Sequence, residues 1–327
     1  MRLDGIDVTR FLAFCGMVLV NFRIAALVTP TQDWVSQITN ALEGRAAALF
    51  VVLAGLGLSL ARLSRNQVLA RATFLFVLGC LNLLVFEADI LHFYALYFIL
   101  AAFVLQCSDR ALLLGATGIV ALGYAAIFVL NYEANWNWET LEYANFTTPA
   151  GFLRHSFLNG WHPVLPWAGF VLFGMWLGRQ ELRARPLIIW GSVAAVIAAL
   201  PQQLTQDAEI IEILGTAALP PTPFYMVSAS GSACAVLGLI LWLVPKCPSR
   251  LRTPLASTGQ QALTLYIAHI LIGMGIMEGL GWLDGSLSTG AVFTYSIAFC
   301  VGCVAYAALW RQLFKRGPLE MLMRRIT

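Results

Sequence analysis

The run Ala46-Ala47-Ala48-Leu49-Phe50-Val51-Val52-Leu53-Ala54-Gly55-Leu56-Gly57-Leu58-Ser59-Leu60-Ala61 carries no charge and is bounded by Arg45 and Arg62. It shows none of the apolar/polar alternation of a half-buried strand. With its flanks it approaches the roughly 20 residues that a helix needs to cross a hydrocarbon core of about 30 Å. Unpaired backbone is intolerable in lipid, so a membrane segment is either a helix or part of a closed barrel. An unbroken, unalternating run selects the helix.

The same pattern recurs on both sides. It predicts spans near 8–28, 44–62, 68–87, 90–106, 111–131, 163–179, 186–204, 222–244, 257–278 and 290–314. The expected architecture is an all-α polytopic membrane bundle of about ten helices, forming a single transmembrane domain over 1–327. Composition agrees: 59% of the 327 residues are hydrophobic and 11% charged, against about 25% charged in soluble domains. Polar connections fall at 132–162 and 205–221. Gly174 with Gly178, and Gly275 with Gly279, are GxxxG pairs that predict close helix approach.

Charge distribution orients the bundle. With the N-terminus inside, cytoplasmic segments hold Arg2, Arg10, Arg62, Arg65, Arg71, Arg110, Arg179, Arg183, Arg185, Lys246, Arg250, Arg252 and the C-terminal cluster Arg311, Lys315, Arg316, Arg324 and Arg325. Most acids fall outside. This is the positive-inside asymmetry, and it predicts both termini in the cytoplasm. The first apolar stretch holds Arg10 and Arg23 and lacks a small-x-small site before Pro30, so it is expected to be retained as a helix. The seven cysteines lie in apolar runs or near predicted cytoplasmic ends, where no disulfide is expected.

Ionisable groups within membrane helices are costly and mark candidate sites. Asp7 and Arg10 are three apart and can pair. Asn21 lies eleven residues beyond Arg10, on nearly the same helix face and about 16 Å further along. Arg23 lies deeper than the interface, from which its stem can snorkel outward. The four histidines are His92, His155, His162 and His269. Asp89 and His92 are spaced so that one carboxylate can orient one imidazole, the arrangement of a general base. His155 and His162, seven apart in a loop, are poor metal spacing, and no metal is expected. His269 lies mid-span after Tyr266. Trp161-His162-Pro163-Val164-Leu165-Pro166-Trp167 reads either as a helix entry in the interfacial aromatic belt or as an aromatic lip on a cavity. For each of these residues a packing role is the plain alternative. The chain has no GxxxxGK[ST], no GxGxxG after a strand, no GxSxG and no HExxH. That excludes common ATPase, dinucleotide-binding, lipase and zincin machinery.

Three stretches together resemble the YeiB-like bacterial membrane proteins. These are related to heparan-alpha-glucosaminide N-acetyltransferase and the acyltransferase-3 proteins in a transmembrane acyltransferase superfamily. The first stretch runs from Arg2-Leu3-Asp4-Gly5-Ile6-Asp7-Val8-Thr9-Arg10 to Val18-Leu19-Val20-Asn21, with Phe11 where Gly is usual. The second is Gly44-Arg45-Ala46-Ala47-Ala48-Leu49-Phe50 with Leu53-Ala54-Gly55-Leu56-Gly57. The third joins Gly259-Gln260-Gln261-Ala262-Leu263-Thr264-Leu265-Tyr266 to Phe314-Lys315-Arg316-Gly317-Pro318-Leu319-Glu320. The starts of the fourth and sixth spans, at Asp89 and at His162, also fit.

The resemblance implies an acyl donor, acetyl-CoA as co-substrate, reached from the cytoplasm. It implies an acceptor at the outer face: a small molecule, glycan or lipid. The acetyltransferase relatives carry a catalytic His in the first outer loop, whereas 29–44 here contains none. The candidate base is therefore His92 with Asp89, followed by His269. Asp7, Arg10, Asn21, Arg45, His162, Trp167 and Tyr266 are candidates for donor or substrate contacts, with Arg10 toward donor phosphate. The expected setting is the bacterial cytoplasmic (inner) membrane. The expected partners are the lipid bilayer and the acceptor, with no nucleic acid, and a homodimer is compatible with the sequence. A transporter or flippase, whose path would also need buried polar groups, and a non-catalytic membrane scaffold are the rival readings.

Overall fold

The computed structural model describes residues 2–327; Met1 lies outside the described residues, as do the side chains of Arg2 and Leu3, which open the first family-like stretch. The chain is helical nearly throughout. In order, the elements are α1 (Arg2–Ala25), α2 (Trp34–Leu42), α3 (Arg45–Ala61), α4 (Arg65–Asn82), α5 (Leu91–Val104), α6 (Asp109–Val129), β1 (Trp136–Asn137), β2 (Glu142–Tyr143), α7 (Pro149–Arg154), α8 (Val164–Arg179), α9 (Ala184–Ala199), α10 (Ala208–Leu214), α11 (Pro223–Leu243), α12 (Ser249–Gly259), α13 (Ala262–Ala268), α14 (Gly275–Gly279), α15 (Thr289–Leu313) and α16 (Pro318–Ile326). Wide π-helical turns follow α7 at His155–Asn159 and α13 at His269–Met274.

A helix lies at each of the ten predicted span positions. Among the described residues seven helical segments are long and apolar enough to cross a membrane: Asp4–Ala25, Trp34–Ala61, Asp109–Val129, Ala184–Leu204, Pro223–Lys246, Ala262–Gly279 and Thr289–Leu313. Leu91–Val104 and Val164–Arg179 are apolar but shorter, and α4 carries Arg65 and Arg71. The chain is a multi-pass helical membrane protein.

The helices form two compact units. The first comprises Met1–Phe50, Arg183–Trp190 and Ala233–Ile326; the second comprises Val51–Leu182 and Gly191–Ser232, together with Thr327. In the first, Val8 packs with Ile240, Val244 and Ala256. α12 lies so close to α1 that a Cβ on Gly259 would sit 1.7 Å from the Asp7 carbonyl oxygen. Arg23 is buried and is held by α2 and the residue after it: its guanidinium donates to Thr39 at 3.3 Å, Asn40 at 2.5 Å and Glu43 at 2.6 Å. Its charge is met by protein groups rather than by snorkelling alone.

In the second unit α8 is a central element. Lipid gives helices no hydrophobic drive to associate, so contact depends on close backbone approach. Gly174 and Gly178 supply it: added Cβ atoms would lie 2.1 Å from the Val52 carbonyl and 2.8 Å from that of Leu56 on α3. Gly275 and Gly279, the other predicted pair, face open space with nothing within 4 Å. The pattern is the same, but no helix has come to meet it. α4 packs on α5 through Gly79, where a Cβ would lie 2.4 Å from the His92 backbone nitrogen.

Candidate active site

Asp89 precedes α5, and its carboxylate takes the cap role that Ile90, at the N-cap position, has no side chain to fill. Its Oδ2 accepts the His92 backbone N–H at 3.0 Å. The same oxygen lies 3.0 Å from His92 Nδ1, and Oδ1 accepts from the Asn82 side-chain amide at 2.8 Å. Asn82, Asp89 and His92 are all buried, the last two completely. An ionised carboxylate only accepts hydrogen bonds, so the proton of the neutral imidazole sits on Nδ1. Nε2 then presents a lone pair. That atom is buried and has no hydrogen-bond partner among the described residues. Buried polar atoms are nearly always paired, so an exception calls for a reason.

His92 is the centre of an aromatic and histidine cluster. Its ring lies 3.9 Å from Phe93, 6.0 Å from Phe152 and 6.1 Å from His155, nearly parallel to the last. The loop between α6 and α8 builds the remainder. β1 and β2 pair Trp136 with Tyr143. Asn159 ties the hairpin down: it accepts from Tyr143 Oη at 2.8 Å and donates to the carbonyls of Tyr132 at 2.7 Å and Ala134 at 2.9 Å. Tyr143 and Phe146 then close on the His155 ring at 4.8 and 4.9 Å. His162 packs edge-on against Trp167 at 4.6 Å, and its carbonyl accepts from Tyr97 Oη at 2.5 Å. His155 Nδ1, Ser156 Oγ, His162 Nδ1 and Trp167 Nε1 are buried atoms that also lack partners among the described residues.

His155 and His162 both have pKa values pushed down to about 3, chiefly by burial and then by neighbouring His92. Both are neutral at pH 7. His162 is partly accessible although its Nδ1 is enclosed. Trp167 is fully buried. It packs on Phe170 and Tyr225 rather than in an interfacial belt. A cleft of about 710 Å³ adjoins the cluster, lined by Cys80, Glu87, Tyr143, Asn145, Phe146 and Phe152 among others. Three of its walls, Tyr143, Phe146 and Phe152, are the rings that touch His155 or His92.

The other candidates lie in the first unit. Asp7 and Arg10 form an ion pair at 2.7 Å, and the Gln260 amide donates to Asp7 at 2.8 Å. His269, fully buried, has both ring nitrogens engaged. Nδ1 donates to the Tyr266 carbonyl, which fixes the tautomer, and Nε2 therefore accepts from the Asn21 amide at 3.1 Å. Phe14, Phe22 and Tyr266 pack around its ring. Arg45 opens α3 in the same unit. Among the described residues no group of three or more His, Cys, Asp or Glu side chains is placed to hold a metal ion.

The structure thus adds Asn82, Ser156 and the Trp136–Tyr143 hairpin to the residues that the sequence singles out, and brings the His155 ring to 6.1 Å from that of His92. Asn82, seven residues before Asp89 across a turn, has no periodic relation to it. The π-turns give a partial signal only in retrospect: each begins at a histidine, and such turns recur at functional sites.

Among curated proteins none matches the chain. Residues 175–327 match the family model described as a protein of unknown function, DUF418, the YeiB-like proteins. Residues 2–195 match the model described as heparan-alpha-glucosaminide N-acetyltransferase, catalytic. With more than half of its length inside that model, the chain belongs to the heparan-alpha-glucosaminide N-acetyltransferase catalytic family.

Proposed function

We propose that this protein is a membrane acyltransferase that moves an acetyl group from cytoplasmic acetyl-CoA to a hydroxyl or amine acceptor at the outer face. The observation that carries the reading is the unpartnered, buried Nε2 of His92, with its Nδ1 tied to Asp89. Family membership supports the reaction class. The positive-inside charge pattern supports the topology: about ten spans, both termini in the cytoplasm, in a bacterial inner membrane.

In this mechanism Nε2 takes the proton of the acceptor O–H or N–H as that atom attacks the thioester carbonyl. Asp89 stabilises the imidazolium that forms and holds the ring in register. The tetrahedral oxyanion needs donors in a dry site. Ser156 Oγ–H and Trp167 Nε1–H, in the same cluster, are donors without partners among the described residues. The C–S bond then breaks, the imidazolium returns its proton to the thiolate, and the products are the acylated acceptor and CoA thiol. The acceptor enters through the cleft walled by Tyr143, Phe146 and Phe152.

The test is release of CoA thiol from acetyl-CoA by the purified protein, supplied with a panel of amines, sugars and lipid acceptors. Acceptor-dependent release supports the reading. No release by a folded protein that binds CoA and is offered the full panel moves the weight to transport.

A further inference from the structure

A second cavity, of about 730 Å³, lies in the second unit where the end of α3, the starts of α4 and the ends of α5 and α8 meet. Its volume is that of a small-molecule site. Three guanidinium groups line it: Arg62, Arg65 and Arg179. No carboxylate is among its described lining residues. Arg179 is anchored, donating to the carbonyls of Leu105 at 2.9 Å and Cys107 at 2.6 Å and pairing with Asp109 at 3.1 Å. The Arg65 guanidinium carbon lies over the Phe103 ring, 4.0 Å from its centre. Arg62, in the left-handed region at φ 48, ends α3 and is exposed. Leu58, Ala102 and Met175 give the cavity an apolar floor.

The position matters as much as the charge. Phe103 and His92 lie at opposite ends of α5. Eleven residues of helix separate them by about 16 Å. A donor with its anionic group in the cavity and its reactive group at His92 would need an arm of about that length. Guanidinium forks match phosphate oxygens bidentately. An acyl-CoA has that form: a diphosphate, a pantetheine arm, and the thioester at its tip.

We infer that the Arg62–Arg65–Arg179 cavity holds the diphosphate of the acyl-CoA donor, an assignment that rests on the acyl-transfer reading above. The assignment places donor phosphate at this cavity rather than at Arg10, which pairs with Asp7 at 2.7 Å. An anionic phospholipid headgroup offers the same phosphate chemistry and is the competing source.

The experiment uses the full-length protein in phosphatidylcholine nanodiscs, with calorimetric binding of CoA and of pantetheine, which keeps the arm and lacks the phosphates. R62Q and R65Q are the variants. Both side chains are exposed near helix ends, and equal melting temperatures will show that the variants are folded. The expected result is CoA binding weakened about tenfold by each substitution, with pantetheine binding unchanged. Phosphatidylglycerol added to the nanodiscs should not displace CoA. Unchanged CoA affinity in both variants overturns the assignment while leaving the acyl-transfer reading standing. Displacement of CoA by phosphatidylglycerol assigns the cavity to lipid and also overturns it. Failure of the folded wild type to bind CoA at all removes the acyl-transfer reading, and the assignment with it.

Discussion

His92 and His269 are both fully buried histidines, each set among aromatic rings, yet they differ in what remains free. In the second unit His92 gives Nδ1 to Asp89 and leaves Nε2 without a partner among the described residues. In the first unit His269 gives Nδ1 to the Tyr266 carbonyl and Nε2 to Asn21. In the proposed mechanism burial alone therefore does not separate the base, His92, from a packing residue. The inventory of hydrogen bonds does: a histidine whose lone pair is already used must break a bond before it can accept a proton, and one whose lone pair is idle need not.

The sharpest way to break this comparison is at His92 itself. General-base catalysis contributes about 10²–10⁴ in rate, so H92Q should lower acceptor-dependent CoA release by at least about 10² while the protein still binds CoA. Residual turnover near the wild-type level would return the base to an unassigned group.

The next largest effect isolates orientation. In D89N the shorter-range geometry survives, since asparagine also caps helices well. What changes is the acceptor-only character of the group at Nδ1. The ring is then free to take the other tautomer, with the proton on Nε2, where it cannot act as a base. A loss of about 10² in turnover is expected, with little change in melting temperature. The pH profile should also move, because the imidazolium loses its counter-charge. A large drop in melting temperature with an unchanged profile would make Asp89 a helix cap only.

On the other side of the comparison, N21A removes the donor to His269 Nε2. A buried polar atom left unpaired costs about 1–3 kcal/mol. The variant should melt at a lower temperature and keep its turnover per folded molecule. If turnover falls without a loss of stability, His269 belongs to the chemistry and the distinction drawn here fails.

These sites were unequally legible in the sequence. Helix positions were readable because lipid imposes length and apolarity on a span, and among the described residues seven of the ten expected segments meet both measures. The spacing of Asp89 and His92 was also readable, being local. Their partner Asn82 was not, since it comes from another helix across a turn. Nor were the rings around His155, which reach it only because Asn159 organises a hairpin within a loop that reads as merely polar. The two GxxxG pairs make the same point. Gly174 and Gly178 receive α3 at van der Waals range or closer, and Gly275 and Gly279 receive nothing within 4 Å. Small residues permit contact, but the arrangement of the other helices decides whether contact occurs. Trp167 follows the same logic: the Trp-Pro-rich entry reads either as an interfacial belt or as the lip of a cavity, and the packing of His162, Phe170 and Tyr225 buries the Trp167 ring.

The smallest expected effect concerns acid. His155 and His162 titrate near 3 in the folded protein, against about 6.5 for an unperturbed histidine. Between those values the unfolded chain binds more protons than the folded one, so stability rises with pH across that window. The contribution is fully present above about pH 6.5 and is lost progressively as the pH falls toward 3. Melting temperature should therefore fall by a few degrees between pH 7 and pH 5. The double variant H155Q/H162Q should show a flatter dependence over the same range, whatever its absolute stability. The cause lies in packing: Tyr143, Phe146 and Trp136 surround the His155 ring, and that burial disfavours the charged imidazolium. An equally steep slope in the double variant would place the acid sensitivity elsewhere, and the loop histidines would then be ordinary solvated groups rather than the dry wall of a site around His92.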